Sequence, residues 1–156
     1  MQSFGAARPG GERTHVTVVV VDDAPDYREI LRSLLASCPM RLSWARLQKE
    51  AIAIVLRERP DIVITDLIMP RINGVDLTRR LRQELPQTKI ILISSYSEDA
   101  YRLMASDSGA DAFVSKGVIS DALLPAIRDL IGRRLSGGDG PHPPSAGAAA
   151  AASPQQ

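Results

Sequence analysis

Between Val16 and Arg134 the chain alternates unbroken apolar runs with stretches of helical periodicity. No other feature restricts its fold as strongly. Val16-Thr17-Val18-Val19-Val20-Val21 is continuous and β-branched, as expected of a strand covered on both faces. Ile62-Val63-Ile64-Thr65 and Ile90-Ile91-Leu92-Ile93 read the same way. Ala112-Phe113-Val114 is a shorter candidate, and Leu42-Ser43-Trp44-Ala45 a weaker one. Between these runs lie helical stripes. The first is Tyr27, Ile30, Leu31, Leu34 and Leu35, and the second is Ala51, Ile52, Val55 and Leu56. Leu77, Leu81 and Leu85 make a third, and Ala100, Leu103 and Met104 a fourth. The fifth is Leu123, Ile127, Leu130 and Ile131, with Ser120 as its expected N-cap and Arg133-Arg134 at its C-terminal end. Five β-α repeats of this kind predict an α/β, doubly wound three-layer fold with a parallel five-stranded sheet.

Composition shifts sharply outside this segment. From Gly137 the chain reads GGDGPHPPSAGAAAAASPQQ, with four of the 11 prolines, four of the 11 glycines and one charged residue. Such a stretch cannot bury enough apolar surface to offset its ordering entropy. The expected organisation is a disordered tail over 1–15, one domain over 16–135 and a disordered Gly/Pro/Ala-rich tail over 136–156. Lys and Arg total 19 against 18 Asp and Glu, a net charge of +1, so bulk charge does not suit the chain to nucleic acid or anionic membrane. The single cysteine, Cys38, excludes an intrachain disulfide and a multi-cysteine zinc site. His15 and His142 lie far apart and receive no role. Neither a signal-peptide core nor a bilayer-length apolar run is present, so the expected location is cytoplasmic.

In open parallel sheets, ligands bind beyond the carboxyl ends of the strands. Asp22-Asp23 follow the first run, Asp66 the Ile62 run, Ser94-Ser95 the Ile90 run and Ser115-Lys116 the last. Three carboxylates, a hydroxyl and an ammonium therefore converge on one sheet edge. Carboxylates so close must share protons or recruit a cation. Lys116 offsets one charge, which leaves a deficit of about two, and oxygen ligands with room for water favour Mg²⁺ over zinc. A metal, a lysine and a hydroxyl around a carboxylate suit a phosphoryl group, with the carboxylate as nucleophile.

The motifs VVVVDDAPDYREILRSLL, DIVITDLIMPRINGVDL, ILISSYSE and GADAFVSKGV, taken in order, resemble the receiver domain of two-component response regulators. The likeness covers about Val16 to Arg134. It implies a flavodoxin-like sheet of strand order 2-1-3-4-5 and a phosphorylation-dependent switch. Asp66 would be the phosphorylation site, charged by a histidine kinase or histidine phosphotransfer protein. Asp22, Asp23, Asp66 and the Ile68 backbone carbonyl would hold Mg²⁺, with Asp22 acting largely through water. Lys116 would pair with the phosphoryl group. Ser94 would move to hydrogen-bond it, making space for Phe113 to turn; Phe113 is equally compatible with a fixed core aromatic. The output face would be the fourth helix, fifth strand and fifth helix. Gly74 would lie in the loop before the third helix, where a positive φ is cheap.

Some positions depart from the common pattern. Phe113 replaces a frequent tyrosine, Ser94 a frequent threonine, and Gln48 stands where many members carry glycine. Ile68 and Tyr96, each two positions beyond a site residue, are bulky and would hinder attacking water, which implies slow self-dephosphorylation. Trp44 reads as packing, Cys38 as a partly buried residue at a helix end, and Arg71, Arg79, Arg80 and Arg82 as a solvated helix face.

The resemblance implies a phospho-acceptor rather than an enzyme. A haloacid-dehalogenase-type phosphohydrolase also uses an aspartyl nucleophile with Mg²⁺, but needs a second aspartate where Ile68 stands. A degenerate receiver that is never phosphorylated is a further alternative, against which Asp23, Asp66, Ser94 and Lys116 all argue. Nothing after Gly137 resembles a helix-turn-helix, so the expectation is no direct DNA binding, and a stand-alone regulator acting through another protein or a phosphorelay. A phosphorylation-dependent homodimer is compatible with it.

Overall fold

The computed structural model describes residues 15–69, 72–96 and 98–135. Residues 1–14 of the expected 1–15 tail and all of the expected 136–156 tail lie outside the described residues, as do Pro70, Arg71 and Ser97. The main sheet contains β1 (Val16–Val21), β2 (Met40–Ala45), β3 (Ile62–Asp66), β6 (Lys89–Ser94) and β7 (Ala112–Ser115). A small antiparallel ribbon, β4 (Ile68–Met69) with β5 (Ile72–Asn73), follows β3. The helices are α1 (Pro25–Leu35), α2 (Gln48–Glu58), α3 (Gly74–Glu84), α4 (Asp99–Ser108) and α5 (Ile119–Leu135). Sheet order is β2-β1-β3-β6-β7, all parallel, which is 2-1-3-4-5 when sheet strands alone are counted.

Alternation along each strand feeds two separate cores. Val18, Val20, Ile62, Ile64, Ile91 and Ile93 face Leu31 and Leu35 of α1 and Leu123, Ile127 and Leu130 of α5. Val19, Val21, Val63 and Ile90 face Ala51 and Val55 of α2 and Leu77 and Leu81 of α3. Leu67, Val75, Leu92 and Ala105 form a smaller cluster beneath α4. Two-sided burial is why these strands are uniformly apolar.

Several boundaries and faces differ from expectation. The fifth helix starts at Ile119, and Ser120 is exposed inside it. The capping hydroxyl is Ser115, whose Oγ accepts from Gly117 N at 3.3 Å and opens a 3-10 turn over Lys116–Val118. The fourth stripe points outward: Ala100, Leu103 and Met104 are exposed, while Ala105 and Ser108 are the buried residues of α4. The fully buried side chains of α4 are small, and Tyr101 packs partly buried against the cluster beneath the helix. Ile30 and Leu56 also face solvent, so their stripes are narrower than their sequence suggested. Gly74 has no positive φ. It is the first residue of α3, and a Cβ there would collide with the Asp66 carbonyl oxygen. Close backbone approach, not a left-handed turn, requires that glycine. Asn73 caps α3 by accepting from Val75 N and Asp76 N.

Arg82 also departs from the solvated-face reading, although Arg79 and Arg80 obey it. Its guanidinium donates to Gly109 O at 2.8 and 3.1 Å, to Thr88 O at 2.9 Å and to Pro86 O at 3.0 Å. It also pairs with Asp111 at 2.5 Å, whose Oδ2 accepts from Ile90 N as well. One side chain thus joins α3, the start of β6 and the turn after α4. Cutting it leaves partly buried acceptors and an unpaired carboxylate. Arg82→Ala is expected to cost about 2–3 kcal/mol in urea unfolding, whereas exposed Arg80→Ala should stay within about 0.5 kcal/mol of wild type.

Candidate functional site

The site lies at the carboxyl ends of β1, β3, β6 and β7. Parallel pairing brings these ends level: Val21 lies beside Thr65, Asp66 beside Ile93 and Ser94 beside Ser115. The residue that leaves each strand therefore enters the same crevice. Asp22, Asp66 and Ser94 are all buried, and Lys116 retains 17% side-chain exposure.

Asp66 is held from two directions. Its Oδ2 accepts from Lys116 Nζ at 2.5 Å, and its Oδ1 accepts from Ile68 N at 3.1 Å. Asp22 Oδ1 accepts from Ala24 N at 2.8 Å, an Asx-type turn that starts the loop into α1. Asp22 is therefore not the N-cap of α1; Ala24 holds that place without a side-chain bond, and Pro25 follows in the first turn. Lys116 Nζ also lies 3.7 Å from Asp22 Oδ2, too far for a hydrogen bond. That oxygen is buried and has no hydrogen-bond partner among the described residues. Asp23 is half-buried next to it, close enough for its charge to act on Asp22.

Burial is the main force on the Asp22 carboxyl and raises its pKa above 3.8. The Ala24 N–H and the Lys116 charge pull it back, while Asp66 and Asp23 push it further up. Net, the ionised form is disfavoured. The site has more negative charge than its one ammonium balances.

Ser94 ends β6, and its Oγ accepts from Tyr96 N at 3.0 Å. Phe113 lies back along β7, beside Leu92 rather than at the crevice, and packs into the cluster beneath α4. The Arg102 guanidinium sits 5.0 Å from its ring centroid. Ile68 and Tyr96 stand exposed at 50% and 52%. Tyr96 stacks on Tyr101, with ring centroids 5.0 Å apart.

Tyr27 is the residue that sequence reasoning missed. It belongs to the first helical stripe and reads there as core packing. Its ring does pack against the core, but Lys116 Nζ also lies 4.1 Å from its centroid. Burial, then Asp22, then Asp66 raise its phenol pKa, so it stays protonated. Trp44 packs as expected, with Arg28 and Arg32 at 5.2 and 5.4 Å over its ring. Cys38 is partly buried and free.

The donor set suits a hard divalent cation. It is all oxygen, carries excess negative charge and includes a buried carboxylate oxygen without a hydrogen bond. Among the described residues, no three His, Cys, Asp or Glu side chains form a metal-binding cage. Lys116 holds one oxygen of Asp66 and the Ile68 N–H the other.

Comparisons with known proteins agree with this geometry. A family model described as the response regulator receiver domain matches residues 18–128. The response regulator MprA of Mycobacterium sp. (strain KMS) is 32% identical over 130 residues, covering 83% of this chain and 56% of that protein. The transcriptional regulatory protein DegU of Brevibacillus brevis is 30% identical over 115 residues, covering 72% of this chain and 49% of that one. The chain thus spans about half the length of these curated relatives. A two-component response regulator of the LuxR family from Aurantimonas sp. SI85-9A1 superposes with a TM-score of 0.71 at 30% identity, covering 76% of this chain and 87% of that one.

The raised Asp22 pKa has a direct consequence for stability. Above pH 3.8 the unfolded chain releases this proton before the folded protein does, so the carboxylate subtracts from stability as pH rises. Asp22→Asn in EDTA is expected to raise the urea midpoint at pH 7, and the gain should shrink as pH falls towards 3.8. An equal gain at both pH values would remove burial of the charge as the cause.

Proposed function

The chain belongs to the response regulator receiver family, and from that premise we propose that Asp66 is its phospho-acceptor. One observation carries the proposal: Asp66 sits buried at a strand end, with Lys116 on one oxygen and beside it the buried Asp22 carboxylate, one oxygen of which has no hydrogen bond. In transfer, an Asp66 oxygen attacks phosphorus while the P–N bond to a donor phosphohistidine breaks. The imidazole leaves with that electron pair and takes up a proton. The donor is a histidine kinase or a histidine phosphotransfer protein. Lys116 offers its ammonium to the phosphoryl oxygens and offsets one of their charges. Ser94 Oγ, one strand over, supplies a hydroxyl to the same group. Asp22, Asp23, Asp66 and the Ile68 carbonyl would hold Mg²⁺, which when bound supplies the remaining positive charge.

The output is a change of contacts with another protein, or onward transfer in a relay. The exposed apolar side chains of α4, Leu103 at 63% and Met104 at 43%, support a protein-facing role for that face. The phosphoryl group can shift this face only by binding one of its states better than the other. Phe113 would take part by turning as Ser94 moves. Among the described residues, no helix is long and apolar enough to cross a membrane.

The test is direct. Incubated with Mg²⁺ and acetyl phosphate and weighed intact, the protein should gain one phosphoryl group, and Asp66→Asn should gain none. Turnover of many equivalents would point to a hydrolase, and no labelling by acetyl phosphate or a kinase would point to a degenerate receiver.

Ile68 and Tyr96 set the lifetime of the product. Both side chains stand exposed beyond the acceptor and Ser94, where an attacking water would pass. Tyr96→Ala is expected to speed loss of label severalfold, measured as decay of the phosphorylated mass after donor removal. An unchanged rate would acquit this residue.

A further inference from the structure

Lys116 has anions on one side and an aromatic face on another. The Asp66 and Asp22 oxygens lie 2.5 and 3.7 Å from Nζ, and the Tyr27 centroid 4.1 Å. A lysine is a compact charge on a flexible four-carbon stem, so its position depends on what surrounds it. The ammonium is largely shielded from water and the ring is half-buried, conditions under which attraction to a ring face is poorly screened. Two carboxylates alone would let Nζ slide between them, whereas a ring face 4.1 Å from Nζ adds a third contact that narrows it to one seat. Tyr27 is itself fixed, because α1 packs it against the sheet core. Its hydroxyl is buried and finds no hydrogen-bond partner among the described residues, so the ring, not the hydroxyl, does the holding.

We propose that Tyr27 is a positioning residue for phosphoryl transfer: its ring face seats the Lys116 ammonium against Asp66. The role rests on Asp66 being the acceptor. Loss of the seat leaves Lys116 attached to the same carboxylate but spread over more positions, so fewer molecules present it correctly to an incoming phosphoryl group. It also follows that phenylalanine should serve as well as tyrosine, since nothing uses the hydroxyl.

The experiment compares wild type, Tyr27→Phe and Tyr27→Leu as full chains. Two readouts are taken: the initial rate of labelling by acetyl phosphate with Mg²⁺, and the proton chemical shifts of the Lys116 side chain. In wild type and Tyr27→Phe, the ring should move the Lys116 ε-methylene signals upfield. In Tyr27→Leu that displacement should vanish while circular dichroism reports a folded protein. Labelling of Tyr27→Leu should be about tenfold slower than wild type. Tyr27→Phe should restore it to within about twofold. Tyr27→Leu labelling at the wild-type rate, or Tyr27→Phe as slow as Tyr27→Leu, overturns the seat and leaves the acceptor intact. Absence of a ring-induced shift in wild type overturns it without reference to phosphorylation. Absence of any label on wild type overturns the acceptor reading instead.

Discussion

A parallel sheet whose strands are apolar on both faces must be covered on both faces, and the rest of this structure follows from that requirement. Each strand can return to the same sheet edge only by a crossover, and each crossover helix adds to one of the two covering layers. Val18 and Val20 of β1 go to the α1 and α5 side, and Val19 and Val21 to the α2 and α3 side. Because the strands run the same way, their carboxyl ends lie together. Residues that follow the apolar runs have no choice but to meet there. The crevice is a by-product of the topology, and its chemistry depends only on which residues the chain places after each run.

Those residues put more negative charge into the crevice than one ammonium can balance. In a domain of near-zero net charge, the imbalance is entirely local. Lys116 holds Asp66, and an oxygen of Asp22 is left without a hydrogen bond. The arrangement therefore costs stability in the resting protein, as expected where function rather than folding selects the residues. The energy is recoverable only by binding something cationic or by taking up a proton. The fold tolerates this because two-sided burial elsewhere is extensive. Nearby backbone contacts are equally tight, since Gly74 lies so close to the Asp66 carbonyl that a side chain there would not fit.

Strand identity was legible because it rests on uninterrupted runs, and the acidic site because each member directly follows one. Helix faces were less legible. The Ala100, Leu103 and Met104 stripe has helical spacing, yet α4 turns Ala105, Ser108 and part of Tyr101 towards the sheet instead. Arg82 looks like its exposed neighbours in sequence. It differs because the turn after α4, 27 to 29 residues downstream, brings the Gly109 carbonyl and Asp111 within its reach. Tyr27 was hidden for a related reason. An aromatic in an apolar stripe is ordinarily core, and here it is both core and a contact of Lys116 from the far end of the domain.

By itself, then, the sequence determined the layer architecture, the strand ends and the chemical types gathered there, because these depend on local period and on what immediately follows each run. Only the tertiary structure decided which oxygen of Asp66 Lys116 takes, that an oxygen of Asp22 stays without a hydrogen bond, that Phe113 sits back from the crevice and that Arg82 is a clamp. These depend on distances between residues far apart in the chain, and periodicity carries no record of such distances.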